Sequence, residues 1–283
     1  MAGDCSSKAA LRARLGTSAP WIAGIVNLTP DSFSDGGQIS DQQAARKCIE
    51  KLRTDGAQII DIGGESTGPG RKPVSSAAEL ARIEEAVGEA AKKCFVSVDT
   101  FKAGTAQRCI ELGAQMINDI SALRFDSEMP QLIAESGAFI VIMFSKEEDA
   151  SPHATLRAQT YQDVVEHISR FLEERVEYAL RCGIRKEQII LDPGMGAFIS
   201  TLPGYSWEIL HRFGELRRRF ADFALLIGTS RKSFLGGELN ARDPLSQLTG
   251  LAAHLEGADI IRTHNPAMAR EFFCAWQKLH CTA

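Results

Sequence analysis

Eight short apolar runs recur along the chain, near 21–27, 57–62, 94–99, 115–119, 138–143, 188–192, 223–229 and 258–263. They are rich in Val, Ile and Phe and continuous rather than alternating, the pattern of strands covered on both faces. Helical patterns lie between them. In 41–54, Ala44, Ala45, Cys48, Ile49 and Leu52 share one face; in 77–92, Leu80, Ile83 and Val87 do so. In 160–181 the stripe is Val164, Val165, Ile168, Leu172, Val176 and Leu180. Ser76 and Glu79 read as a capping box, and Asp243-Pro244 as a cap followed by proline in the first turn. Strand and helix in alternation predict a parallel α/β architecture. A doubly wound open sheet is the alternative; a count of eight favours closure into a single (β/α)8 TIM barrel.

The ends of the runs are polar: Asn27, Asp61, Asp99, Asn118, Asp192, Ser230-Arg231-Lys232, then Arg262 and His264, with Met143 closing the fifth. In a (β/α)8 barrel the C-terminal ends of all strands build one site. Three stretches, 28–40, 63–76 and 144–158, read as long βα loops at that face.

Composition narrows the classes. The 283 residues suit one barrel domain, 20–283, behind a polar N-terminal arm, 1–19, with Lys8, Arg12 and Arg14. A net charge of -4 argues against a nucleic-acid surface. No apolar run approaches the roughly 20 residues of a membrane span, and the N-terminus lacks a signal peptide's apolar core. Seven scattered cysteines without a CxxC pair read as reduced thiols in a cytoplasmic protein, with no zinc site expected.

Residue types at the strand ends suggest chemistry. Thr29, Asp31, Ser32, Ser34 and Asp35 after Asn27 offer oxygen ligands for Mg2+, or simply build a turn. Asp99, Asn118 and Asp192 would accept paired N–H donors from a planar amino-heterocycle. Asp61 and Asp119 read as structural hydrogen-bonding residues. Lys232 would reach a ring carbonyl, and Arg231 a carboxylate or a neighbouring acid. Arg262 and His264, two apart, point the same way and suit a phosphate or pyrophosphate. His153, His167, His211, His254 and His280 read as structural.

GIVNLTPDSFSDGG (24–37), DIGGEST (61–67), SVDT (97–100), INDI (117–120), LDPGMG (191–196), SRKSFLG (230–236) and IRTHN (261–265) resemble, in order, the dihydropteroate synthase family over 21–270. The resemblance implies condensation of 6-hydroxymethyl-7,8-dihydropterin diphosphate with p-aminobenzoate, releasing pyrophosphate. It implies a pterin pocket of Asp99, Asn118, Met143, Asp192 and Lys232, with Asp99, Asp192 and Lys232 catalytic. Phe33, Thr67, Pro69 and Ser230 would take p-aminobenzoate. Asn27, Thr67, Arg262 and His264 would take the pyrophosphate, with Mg2+ on Asn27. A homodimer is implied, and Phe272, Phe273, Trp276 and Leu279 would either serve it or cover the barrel. The chain departs from the family at Gly68 (commonly arginine), at Phe144 (commonly histidine) and after Gly196, where a lysine is missing. LDPGMG and IRTHN are similar to the sulfonamide-insensitive branch, although GGEST is intact. A non-catalytic pterin-binding paralogue is the alternative. A pterin-dependent methyltransferase-like domain would need neither the SFSDGG loop nor the Arg-x-His pair.

Overall fold

The computed structural model describes residues 19–29, 38–147 and 153–280. The N-terminal arm up to 18, Phe33 and the acidic residues of 31–35 lie outside the described residues. Eight parallel strands close in chain order into a barrel. They are β1 (Trp21–Asn27), β2 (Ile59–Gly63), β3 (Phe95–Asp99), β4 (Met116–Asp119), β5 (Phe139–Met143), β6 (Ile189–Asp192), β7 (Ala224–Ile227) and β8 (Ile260–Thr263). The helices are α1 (Gln38–Thr54), α2 (Ser76–Ala91), α3 (Ala103–Glu111), α4 (Met129–Ser136), α5 (Val164–Arg181), α6 (Pro203–His211), α7 (Phe213–Arg219), α8 (Asp243–Leu255) and α9 (Pro266–His280).

The two-residue period of a strand sorts side chains into two layers. Trp21, Ala23, Ile59, Phe95, Met116, Phe139, Val141, Ile190, Ala224, Leu226 and Ile260 fill the barrel interior. Trp21 meets Phe95 edge-on, with ring centroids 6.1 Å apart. The intervening positions, among them Ile60, Ile62, Val96, Val98, Ile117, Ile140, Ile142, Leu191 and Ile227, pack outward against the helices. Counting by two from the interior set reaches Asn27, Asp61, Asp99, Asn118, Met143, Asp192 and Arg262. The strands therefore aim these seven at the C-terminal mouth. Asp119, one residue past Asn118, falls on the outer side.

Three local expectations need correction. Helix α2 is capped by Ser75, whose side chain accepts from the Ala78 amide, so no Ser76/Glu79 capping box forms. Glu79 shares the buried face of α2 with Ile83 and Val87 and turns inward. The fifth helix starts at Val164, capped by Asp163. Asp243 is the first residue of α8 rather than its cap; its carboxylate pairs with Arg231 at 2.7 and 3.0 Å. In α9, Phe273 is buried and Phe272 and Trp276 pack partly against the core, whereas Leu279 is exposed.

Candidate active site

Strand register sets the mouth. Asn27 pairs across to Gly63, Gly63 to Asp99 and Asp99 to Asn118, so these four share one level. Met143 and Asp192 pair likewise on β5 and β6. Gly63 leaves the gap between Asn27 and Asp99 open: a Cβ there would lie 3.3 Å from the Asp99 Cβ and 3.9 Å from Asn27 Oδ1. Asp192 is buried, and its Oδ1 accepts the Gly194 amide at 2.7 Å. That turn requires glycine, because Gly194 has φ +69° and a Cβ would stand 2.4 Å from the Phe144 carbonyl oxygen.

Arg262 spans two carboxylates. Its Nε donates to Asp61 Oδ2 at 2.6 Å and its Nη2 to Asp99 Oδ2 at 2.7 Å. Asp61 is thus the partner that orients Arg262, which fits its structural reading. Burial opposes the guanidinium charge, but Asp61 and Asp99 outweigh it and hold its affinity for the proton above the ordinary range. Burial raises the Asp99 carboxyl, against Arg262 and with Asp61 adding to the rise. Burial pushes Asp192 up to about 6, opposed by the Gly194 amide and then Lys232. Burial, then Arg262, brings the Lys232 ammonium down to about 8, against Asp192 and Asp99. Asp192 and Lys232 are thereby brought toward neutrality, as titratable groups of catalytic and ligand-binding sets often are.

Two buried oxygens at the mouth, Asn118 Oδ1 and Asp61 Oδ1, have no hydrogen-bond partner among the described residues. A native interior pairs the large majority of such atoms, and Asn118 Oδ1, at the end of β4 beside Asp99, is placed to take a donor from a ligand. The Lys232 stem lies over Gly196, and its Nζ is 4.8 Å from the centre of the Phe198 ring. Phe198 clusters with Phe101, Ile120, Met143 and Ala154, an apolar wall beside the acids.

The remaining expected residues lie as follows. Ser230 Oγ is 2.9 Å from His264 Nδ1 and accepts the His264 amide at 3.1 Å, so this hydroxyl is already engaged. Burial, then the Arg262 and Arg231 charges, pushes His264 down to about 3. It is neutral at physiological pH and offers a hydrogen bond rather than a second positive charge. Thr67 is half-buried, its carbonyl taking the Ala154 amide at 3.0 Å, and Pro69 is exposed. Gly68 begins the turn closed by the Arg71 amide at 3.3 Å, with Arg71 and Lys72 exposed beyond it. Phe144 packs outward against His167 and Phe171, with ring centroids 5.7 and 5.1 Å away, so this departure leaves the mouth untouched. Asp119 accepts the Ser121 amide, the Ser121 hydroxyl and the Leu123 amide at 2.8, 2.6 and 2.8 Å. It is structural, as expected. Sequence reasoning missed Phe101, Phe198 and a buried group of Glu65, Glu79 and Lys102 behind the GGEST loop.

A family model described as pterin binding enzyme matches residues 23–264. The type-2 dihydropteroate synthase of Escherichia coli is 38% identical over 268 residues, covering 93% of this chain and 97% of that protein. The Xanthomonas albilineans dihydropteroate synthase with 4-aminobenzoic acid is 33% identical, with a TM-score of 0.85 over 94% of this chain and 95% of that one. The same enzyme with 7,8-dihydropteroate gives 31% identity and a TM-score of 0.82 over the same shares of the two chains, 94% and 95%. The family match, the identities and the shared fold agree, and the chain belongs to the dihydropteroate synthase family of pterin-binding enzymes.

Proposed function

We propose that this chain condenses 6-hydroxymethyl-7,8-dihydropterin diphosphate with p-aminobenzoate to give dihydropteroate and pyrophosphate. The observation that carries the reading is the set of acceptors at the C-terminal ends of β3, β4 and β6: Asp99, Asp192 and the unpartnered Asn118 Oδ1, with Asp99 and Asp192 close enough to Lys232 to act on its charge. An aminopyrimidine edge supplies the matching N–H donors, and a ring carbonyl accepts from Lys232. Met143, with Phe101 and Phe198, gives the flat ring an apolar face.

The chemistry follows from charge. Departure of pyrophosphate leaves positive charge spreading from the methylene into the pterin, which ionised Asp99 and Asp192 stabilise. Arg262, with its guanidinium fixed by Asp61, faces negative charge growing on the leaving group, and neutral His264 adds a hydrogen bond. The arylamine of p-aminobenzoate, with Thr67, Pro69, Ser230 and Phe33 as its expected surroundings, then attacks the methylene carbon, and the proton its nitrogen sheds passes to water or to the departing pyrophosphate. Positioning and charge stabilisation carry the reaction, and no side-chain nucleophile is needed.

Among the described residues no group of three or more His, Cys, Asp or Glu could hold a metal ion. The exposed Asn27 amide oxygen, opening over Gly63, nevertheless suits Mg2+, which keeps several waters and binds chiefly through substrate phosphates. Bound there with the diphosphate, it would neutralise charge on the leaving group.

The test is incubation with the diphosphate, p-aminobenzoate and Mg2+. Stoichiometric pyrophosphate and dihydropteroate are expected; pterin binding without product would instead support a non-catalytic paralogue. Lys232→Ala is expected to lower turnover by two or more orders of magnitude, roughly the loss of one transition-state contact in a water-poor site. A near-native rate would refute the pocket. A homodimer in the cytoplasm is the accompanying proposal. It is supported by exposed Leu245, Leu248 and Leu255 along α8 and by the absence, among the described residues, of a helix able to cross a membrane. Sedimentation as a monomer at micromolar concentration would count against the dimer.

A further inference from the structure

Three loops at the barrel mouth meet on one carboxylate. Glu65 lies two residues before Thr67 and is 6% exposed. Its Oε2 pairs with Lys102, in the loop after β3. Its Oε1 accepts the Val74 amide at 3.2 Å, which closes the base of the 64–74 loop. The same oxygen stands 2.9 Å from Nε2 of His153, in the loop after β5. That contact lies off the direction of a hydrogen bond, so it acts as charge attraction when the imidazole is protonated. The next residue, Ala154, donates its amide to the Thr67 carbonyl at 3.0 Å.

Charge balance indicates what Glu65 is for. Lys102 Nζ has a second partner, Glu79 Oε2, at 3.0 Å. Glu79 Oε2 also takes the hydroxyls of Thr105 and Thr100, at 3.0 and 3.2 Å. Lys102 thus has a buried carboxylate partner in Glu79 besides Glu65, and burial raises the Glu79 carboxyl against the Lys102 charge. A second carboxylate adds desolvation cost that this pair does not need. What Glu65 adds is connection, between the base of its own loop, the loop after β3 and the loop after β5.

We propose that Glu65 is a positioning residue that holds the 64–74 loop, and with it Thr67 and Pro69, in place for p-aminobenzoate. The proposal deepens the synthase reading and rests on it. Pre-ordering the loop spares the second substrate the cost of arranging it.

Glu65→Gln keeps an acceptor for Val74 and removes the charge facing Lys102 and His153. The Lys102–Glu79 pair survives, so the variant should fold. Hydrogen exchange without substrates is compared with steady-state kinetics. Amides of 66–72 should exchange at least about tenfold faster, as for loss of one charge-assisted contact, while barrel amides stay within about twofold. The KM for p-aminobenzoate should rise about tenfold, with kcat and the Kd for 6-hydroxymethylpterin lacking the diphosphate nearly unchanged. Glu65→Ala, which also removes the Val74 bond, should loosen the loop further. Unchanged loop exchange, faster exchange throughout the barrel, or equal losses for both substrates would overturn the proposal. If the wild-type protein forms no dihydropteroate, the synthase reading fails, and the exchange data still decide whether Glu65 holds the loop.

Discussion

Asp192→Asn should make the substrate-free protein more stable while disabling it. Asp192 is 5% exposed, and burial lifts its carboxyl from the ordinary 3.8 to about 6. At 1.36 kcal/mol for each tenfold change in proton affinity, ionised Asp192 costs on the order of 3 kcal/mol at neutral pH. The sign follows from linkage. The folded protein holds this proton more tightly than the unfolded chain does. The penalty is therefore absent below pH 3.8, grows as pH rises to about 6, and is constant above that. Asparagine is neutral throughout and keeps an oxygen for the Gly194 amide, which the aspartate accepts at 2.7 Å. Part of the gain is offset because Lys232 loses an attracting carboxylate. Urea unfolding of both proteins at pH 7.5 and pH 4.5 is the assay. A gain of about 1–3 kcal/mol at pH 7.5 that falls by about 2 kcal/mol at pH 4.5 is expected, with turnover lost. A variant less stable at pH 7.5, or a difference independent of pH, would refute the claim that Asp192 is held ionised against its environment.

Lys102→Met leaves Glu65 and Glu79 facing each other without a cation. It should cost about 3–5 kcal/mol in denaturant unfolding, far more than Glu65→Gln, and equal costs would contradict the charge balance. Gly64→Ala puts a Cβ 2.9 Å from both the Glu79 carbonyl oxygen and Ile83 Cγ2, so α2 must shift. A loss of about 1–3 kcal/mol is expected, and a loss under about 0.5 would show that the packing yields freely. Asp119→Ala removes three hydrogen bonds from the turn after β4. At about 1 kcal/mol each it should lose about 3 kcal/mol in stability yet bind pterin within about twofold of wild type, since the residue faces outward. A selective loss of pterin affinity would mean that the inward and outward assignment on β4 is wrong.

Most of the architecture was legible because strands buried on both faces leave continuous apolar runs that polar ends punctuate. Their number predicted closure, and their order predicted which tips would converge. Finer assignment needed the two-residue period. Counting from Phe95 reaches Asp99, and counting from Met116 reaches Asn118 and skips Asp119. Glu79 carried a similar signal: it stands four residues before Ile83 and eight before Val87, on the apolar face of α2. A carboxylate on such a face announces a buried partner, but sequence does not say that the partner is Lys102 or that Glu65 joins from another loop.

Electrostatic states were the least legible. Arg262 and His264 resemble a pair of cations in sequence, yet only arginine keeps its charge once both are half-buried at the mouth, where Arg231 and Lys232 also act on the histidine. The reason is asymmetric pairing. Arg262 faces two carboxylates, at 2.6 and 2.7 Å, whereas the His264 ring meets a hydroxyl at 2.9 Å. An imidazole starting near 6.5 gives up its proton to such surroundings; a guanidinium does not. The site therefore divides its work by backbone type as well as by charge. Of the proposed pterin groups, Asp99, Asn118, Met143 and Asp192 sit on strand ends held by the packed barrel, and Lys232 follows β7 in a loop. Those proposed for the second substrate sit on loops, where contacts from other loops, such as those that meet at Glu65, hold the backbone. That difference explains why the strand-end residues of the mouth were legible in sequence and the supports of the 64–74 loop were not.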